Sequence, residues 1–404
     1  MLALTTGIAQ IILALIYISA ARSTSPSNYG TVITAIALGS SAVGFIDFGT
    51  NSYWIRELAK AELNRVELSN RMTSKLAIAF ILAIVWIALV LITMHGSMLW
   101  MAGPIAFALI ANQSLQVPLR GIARNDLVSL NVLTDKVVAG LVYLALALAG
   151  VEAVSRLWIA LSFGAITAAF FGWLWTPEKL RPSFRFRVRT NPWRGSGHYG
   201  VSTLAISAQT LDLPILAVVA GPFAAGVYGA VNRWTQPMGL LSSAFVSASL
   251  PFMAKAHSFK EGLVLVKKGL WLPALAVLGC VAILVCAPLI VVLFLGESYT
   301  GSVVVLQALA VATMVGIINQ PLVVFLQARG YDRPVAWLMG CTVAMQLCLV
   351  ALLGSRFGSI GAALAIIALQ TMLFICSMVL VVIIWKRDAQ QNYASASSSL
   401  QTDS

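Results

Sequence analysis

Leu76-Ala77-Ile78-Ala79-Phe80-Ile81-Leu82-Ala83-Ile84-Val85 is ten apolar residues in a row, with no alternation of apolar and polar positions. A half-buried strand alternates at period two, and a membrane barrel is assembled from short segments of that kind, so this run reads as a helix that is apolar all round. Such a helix has no face for water and belongs in hydrocarbon. A bilayer core about 30 Å thick takes about 20 apolar residues per crossing. Outward from this stretch, runs of that length recur at approximately 3–21, 30–50, 76–95, 99–118, 130–150, 157–175, 199–220, 225–248, 270–295, 302–326, 335–354 and 361–385. The expected fold class is all-α integral membrane, with about twelve transmembrane helices.

Composition agrees. The 404 residues are 59% hydrophobic and 10% charged, with a mean hydropathy of +0.90, where a soluble domain carries about 25% charged residues. The first run lacks a basic head and is followed by Ser23-Thr24-Ser25-Pro26, so it reads as helix one and not as a signal peptide. Cys280, Cys286, Cys341, Cys348 and Cys376 all fall inside predicted helices without paired metal-ligand spacing, and His95, His198 and His257 sit near helix ends in unrelated segments. No metal, cofactor or enzymatic motif is expected.

The formal charge of +12 raises the question of nucleic acid, which the placement of the basic residues answers. Twenty-two of the 26 Lys and Arg lie in alternate connections: 56–75, 120–136, 179–194, 255–268, 329–333 and 386–387. The opposite connections hold only Arg22, Arg156 and Arg356, and Arg233 lies within a predicted helix. The positive-inside rule then puts both termini in the cytoplasm, and the basic runs face anionic headgroups, with no nucleic-acid partner. One missed or invented helix would scramble this segregation, so it also supports the helix count.

Within the cytoplasmic connections, Glu67 and Arg71 stand at i,i+4 in a polar helical extension of helix two, and 252–269 reads as an interfacial amphipathic stretch. The basic connection divides the chain into an N-terminal six-helix lobe at 1–175, a linker at 176–198, a C-terminal six-helix lobe at 199–387, and a tail at 388–404 whose Ser, Gln and Ala content predicts disorder. Tyr29-Gly30 and Tyr228-Gly229 recur at an offset of 199, each opening a helix on the same side. An even number of helices per half makes the repeats parallel, related by a pseudo-twofold along the membrane normal.

Ionisable side chains inside a bilayer cost roughly 2.5 to 3.5 kcal/mol each on insertion scales and therefore mark function. Asp212 in helix seven and Arg233 in helix eight flank a tight turn near Gly221-Pro222 at similar distances, so they could meet near mid-membrane, either as a fixed ion pair or as an anion site. Pro214 should kink helix seven beside Asp212. Guanidinium suits phosphate through charge-assisted, often bidentate bonds. Asp47, near the cytoplasmic end of helix two, is a candidate for capping, gating or ion coupling. Neutral polar candidates are Gln10, Asn112, Gln113, Gln116, Gln209, Asn232, and Asn319-Gln320-Pro321, whose proline implies a broken helix.

Several of these stretches resemble one family. Ser25-Pro26-Ser27-Asn28-Tyr29-Gly30, Asp47-Phe48-Gly49 and Arg56-Glu57-Leu58-Ala59 are similar to the opening pattern of Wzx-type polysaccharide and O-antigen flippases, members of the multidrug/oligosaccharidyl-lipid/polysaccharide exporter superfamily. Asp212, Gly226-Val227-Tyr228-Gly229-Ala230, Arg233, Pro251, Leu295-Gly296-Glu297-Ser298-Tyr299, Gln327-Ala328-Arg329-Gly330 and Gly358-Ser359-Ile360-Gly361-Ala362-Ala363 continue the likeness in order along the chain. The resemblance implies two lobes forming a V around a central cavity and translocation of a polyprenyl-diphosphate-linked oligosaccharide. It implies a substrate site of Arg233 on the diphosphate, Asp212 as its partner, and Asn232, Asn319 and Gln320 toward sugars, with gating or ion coupling at Asp47 and Asp212. It also implies a cell-membrane location and a polymerase and glycosyltransferases as working partners. One departure is that only Arg233 among the basic residues is clearly intramembrane. The alternatives are a multidrug or small-cation exporter of the same superfamily and a membrane glycosyltransferase. The latter would need a catalytic carboxylate in a sizeable outer loop, and these outer loops are short.

Overall fold

A computed structural model describes residues 2–60, 63–182, 190–235, 237–239, 269–328 and 331–402. It is helical throughout the described residues, without strands. The helices are α1 (Leu2–Arg22), α2 (Pro26–Asp47), α3 (Thr50–Ala59), α4 (Arg65–Thr93), α5 (Ala102–Gly121), α6 (Asn125–Leu148), α7 (Ala153–Trp175), α8 (Gly197–Gln209), α9 (Asp212–Val231), α10 (Trp271–Ile290), α11 (Ser302–Ala328) and α12 (Asp332–Thr402). Among the described residues ten stretches are long and apolar enough to cross a membrane.

Two of those stretches double back. In α9, Gly221 takes φ +84°, and Tyr228 hydrogen-bonds Asp212 at 2.7 Å across sixteen residues that would span roughly 24 Å of straight helix. In α12, Gly358 takes φ +61° and the backbone at Gly361 lies against that at Leu353. Only glycine adopts such angles without a steric penalty, so each is the tip of a hairpin. The reversals separate predicted helices seven from eight and eleven from twelve. The far part of helix eight, Pro251, all but the last residue of the amphipathic stretch at 252–269 and several linker arginines lie outside the described residues. Helical backbone in α12 continues to Thr402, across the segment expected to lack structure.

By contacts the chain forms two compact units, one of Met1–Ala230 with Val291–Thr300 and one of Val231–Ile290 with Gly301–Ser404. This division follows packing and differs from the division by repeat proposed from the sequence.

In the first unit, local chemistry sets the helix ends. Ser25 caps α2, accepting from the Asn28 amide, and Pro26 occupies the first turn, where its missing N–H costs nothing. At its C-terminal end Phe48 and Gly49 both adopt left-handed backbone, so α3 is a separate helix and not the expected continuation of helix two. The Glu67–Arg71 pair forms at 2.6 Å, but on the first turns of α4. Trp193 of the linker donates from Nε1 to the Ile46 carbonyl, and Arg71 donates to the Arg194 carbonyl, so this part of the linker packs on the C-terminal end of α2 and the first turns of α4. Arg181 donates to the carbonyls of Leu174 and Thr176 at the end of α7, where a cation also complements the helix dipole.

In the second unit, α10 packs on α11 through Ala276, Cys280 and Ile317, and α11 packs on α12 through Val323, Leu326, Val335 and Ile384. The five cysteines are unpaired.

Candidate functional site

Helix seven is discontinuous. Segment α8 ends at Gln209, Thr210 and Leu211 form a turn, and α9 restarts at Asp212. Pro214 supplies the reason: it has no N–H to offer the Thr210 carbonyl, so the ladder fails one turn upstream. The predicted kink is thus a full break, bridged laterally by a hydrogen bond between the Ser41 and Thr210 hydroxyls.

Asp212 opens the restarted segment. One carboxylate oxygen accepts from the Leu213 amide at 2.7 Å, and the other from the Tyr228 hydroxyl at 2.7 Å. A helix N-terminus favours negative charge, so the break both frees the amide and supplies the field. Asp212 and Tyr228 are both buried.

Helix eight is discontinuous as well. After the reversal it runs to Val231, and Asn232 to Thr235 form turns, with the Trp234 amide on the Val231 carbonyl and the Met238 amide on that of Thr235. Asn232 and Arg233 stand half-buried on this stretch. Asp212 belongs to the first unit and Arg233 to the second, and the hydrogen bonds described for Asp212 come from Tyr228 and Leu213. Non-helical backbone at membrane depth is tolerated where protein or a water-filled cavity satisfies it, and interrupted helices commonly place polar groups at a substrate site.

The break expected at Asn319-Gln320-Pro321 does not occur. Helix α11 continues through Asn319, Gln320 and Pro321 as unbroken helix, so the reading of this triplet as a broken helix is corrected. The proline's loss of one hydrogen bond is absorbed in place, as neighbouring helices allow in membrane proteins. Asn319 is buried with its Oδ1 lacking a partner among the described residues, and Gln320 is half-buried.

Asp47 lies in a closed cage. Its Oδ1 accepts from Lys75 Nζ, from the Thr50 hydroxyl at 2.8 Å and from the Asn51 amide at 3.2 Å, which caps α3. Lys75 also donates to Thr50 Oγ1 and Asn51 Oδ1, each at 2.9 Å, which occupies all three ammonium protons, and it lies 5.1 Å from the Trp54 ring centre. Lys75 is fully buried. Counted as one more cytoplasmic loop charge, its partnership with Asp47 was invisible at a separation of 28 residues.

A second polar group was also missed. Asp135 sits ten residues into α6, about 15 Å along the helix from Asn125, inside the span expected at 130–150. Its Oδ2 accepts from Asn112 at 3.2 Å and Lys136 at 2.7 Å, while Oδ1 is buried without a partner among the described residues. Gln116 bridges Asn112 at 3.2 Å and Asn131 at 2.9 Å and accepts from Arg120 at 2.9 Å. Asn131 donates to the Ala168 carbonyl at 2.6 Å. The signal was present as a carboxylate deep in an apolar run and as amides at Asn112 and Gln116, one turn apart on α5. By contrast, Gln10, Gln113 and Gln209 are exposed.

Comparison with known proteins supplies the context. A family model described as "Polysaccharide biosynthesis protein" matches residues 1–257. No curated protein matches the chain. Among solved structures, an inward-facing multidrug resistance MATE family transporter of the MOP superfamily matches at TM-score 0.71 and 15% identity, over 94% of this chain and 96% of that one. The lipid II flippase MurJ in its inward closed conformation matches at TM-score 0.62 and 13% identity, over 94% and 87%. A MOP superfamily transporter from Pyrococcus furiosus, described as having a binding pocket of reversed polarity, matches at TM-score 0.54 and 15% identity, over 94% of each chain. With the model matched over more than half of the chain, through the two interrupted helices that carry Asp212 and Arg233, this multi-pass membrane protein belongs to the polysaccharide biosynthesis protein family and has the fold of the MOP superfamily transporters.

Proposed function

We propose that the protein flips a polyprenyl-diphosphate-linked oligosaccharide from the cytoplasmic to the outer leaflet of the cell membrane by alternating access, for export of surface polysaccharide. The observation that carries this reading is Arg233, a guanidinium on non-helical backbone within an apolar segment that the polysaccharide family model covers. A permanently charged, forked donor at membrane depth suits a diphosphate. Asn232 stands beside it, and Asn319 and Gln320 supply amides for sugar hydroxyls. Asp47, held by Lys75, fixes the junction of α2 and α3 and takes no moving part in this reading. Both termini face the cytoplasm, and glycosyltransferases and a polymerase hand over and receive the saccharide.

The test is export of lipid-linked saccharide in cells. Arg233→Ala should abolish it with the amount of protein in the membrane unchanged, and Arg233→Lys should retain part of it. Normal export by Arg233→Ala would defeat the anion-site reading. The likeness to a MATE transporter supports a second reading, export of a drug or organic cation. In that case Arg233→Ala would spare or raise efflux, and Asp212→Asn would abolish it.

A further inference from the structure

One cation of the first unit lacks an anion. Arg71, Arg120, Arg124 and Arg181 each donate through the guanidinium to an acceptor of the chain. Arg156 does not: among the described residues its guanidinium forms neither a hydrogen bond nor an ion pair, and its Nε is buried. A guanidinium keeps its proton and carries five N–H donors, so a half-buried one without a counter-charge is costly.

The acid nearest in sequence is Glu152, four residues before. Glu67 and Arg71 have the same spacing and pair at 2.6 Å, because both lie on one helix, where residues four apart share a face. Glu152 stands before α7 with φ −59° and ψ 139°, outside the helix, and is exposed. Arg156 lies instead over the ring of Tyr143 on α6, its guanidinium carbon 5.6 Å from the ring centre. Tyr143 is 6% exposed, and its hydroxyl too lacks a partner among the described residues. The face of an aromatic ring attracts a cation and props it without consuming its N–H donors.

The surroundings say what kind of anion would come. Arg156 closes the first turn of α7, whose start has no side-chain cap and favours negative charge. Trp158, two residues on, packs edge-on against Trp100 with ring centres 5.1 Å apart, and Trp86 donates from Nε1 to the Leu99 carbonyl at 2.9 Å. Tryptophans gather where headgroups meet hydrocarbon. Tyr143 lies five residues before the end of α6, about 7.5 Å along its axis, which is the same level. Leu141 and Leu148, on the same helix, are exposed to hydrocarbon. At this level the abundant anion is the phosphate of a lipid, and a planar guanidinium matches two of its oxygens.

We propose that Arg156, propped on Tyr143, is a binding site for the phosphate of a phospholipid headgroup, in the leaflet at the end of the span away from the basic connections. Arg156 is the binding group and Tyr143 a positioning residue. Occupancy here is independent of what the protein transports.

The test is lipid binding by the purified full-length protein in detergent, which needs no transport. Dioleoylphosphatidylglycerol, dioleoylglycerol with the same chains but no phosphate, and inorganic phosphate are titrated separately. Thermal stabilisation and the number of phospholipids retained in native mass spectrometry are read. The phospholipid should stabilise the wild type and dioleoylglycerol should not. Arg156→Gln should retain one phospholipid fewer and need about tenfold more of it for the same stabilisation, the size of a lost charge-assisted hydrogen bond. Arg156→Lys should fall between the two. Tyr143→Phe, which keeps the ring, should bind as the wild type does, and Tyr143→Leu should bind several-fold more weakly. Arg124→Gln, at an exposed arginine already paired with Asp126, should change nothing.

Unchanged retention by Arg156→Gln overturns the proposal, as does a wild type that the phospholipid fails to stabilise. Equal stabilisation by dioleoylglycerol would assign binding to the chains and overturn it. Saturation by millimolar inorganic phosphate alone would make the ligand free phosphate and overturn the lipid as its source. Should Arg156→Gln not reach the membrane, Tyr143→Leu carries the test, and wild-type lipid binding by it overturns the site. Absence of both variants from the membrane would assign the contact to folding and overturn it as well.

Discussion

Asp47 and Asp212 are both buried carboxylates in the first unit, and they are held in opposite ways. Asp47 meets a buried ammonium whose every proton is used, inside a cage closed by Thr50, Asn51 and Trp54. Asp212 meets a phenol and a backbone amide at the start of a broken helix. A cage with all donors placed resists change, because disturbing any member strands a charge in a dry interior. A carboxylate bonded to a hydroxyl and a helix amide keeps those partners while a mobile or substrate-borne charge comes and goes. The difference teaches that burial by itself does not mark a candidate site, and that the partners of a buried carboxylate set how freely it can meet another charge.

The largest expected effect lies at the cage. Lys75→Ala removes the cation and leaves Asp47 buried, which should cost about 3–5 kcal/mol and show as a large drop in thermal stability of the purified protein. Adding Asp47→Asn should restore much of the loss, and additive losses would show that the two do not act as a pair. Next, Tyr228→Phe removes one hydrogen bond to a charged group, expected at about 1.5–3 kcal/mol in the same melting measurement. The smallest stability effect belongs to Asp212→Asn, under about 1.5 kcal/mol, because the amide oxygen still accepts from either neighbour. Its export should nevertheless fall more than that of any variant of equal stability elsewhere in the first unit. If Asp212→Asn melts as early as Lys75→Ala, the contrast collapses and Asp212 is a structural residue too.

How much of this was legible beforehand depended on the range of the interaction. The reversal was readable at Gly221-Pro222, because turns are set by residues a few positions apart, whereas helix two was expected from 30 and starts at Pro26. Pro214 announced the break in helix seven by the same local logic, while Pro321, an identical local signal, sits in an unbroken helix. What separates the two prolines is their surroundings, which composition does not record. The cage at Asp47 escaped because Lys75 is 28 residues away and looks like any cytoplasmic lysine, and Asp135 escaped because its partners come from Asn112 on α5 as well as from its own helix.

The amino-acid sequence by itself determined that the chain is a helical membrane protein, how many times it crosses to within the two hairpins, and that its basic residues fall in alternate connections. Those properties follow from the mismatch between apolar surface and water and from headgroup charge, both of which act segment by segment. Tertiary structure decided which buried charges are neutralised and where helices seven and eight break, because each of those depends on a partner supplied by another part of the chain.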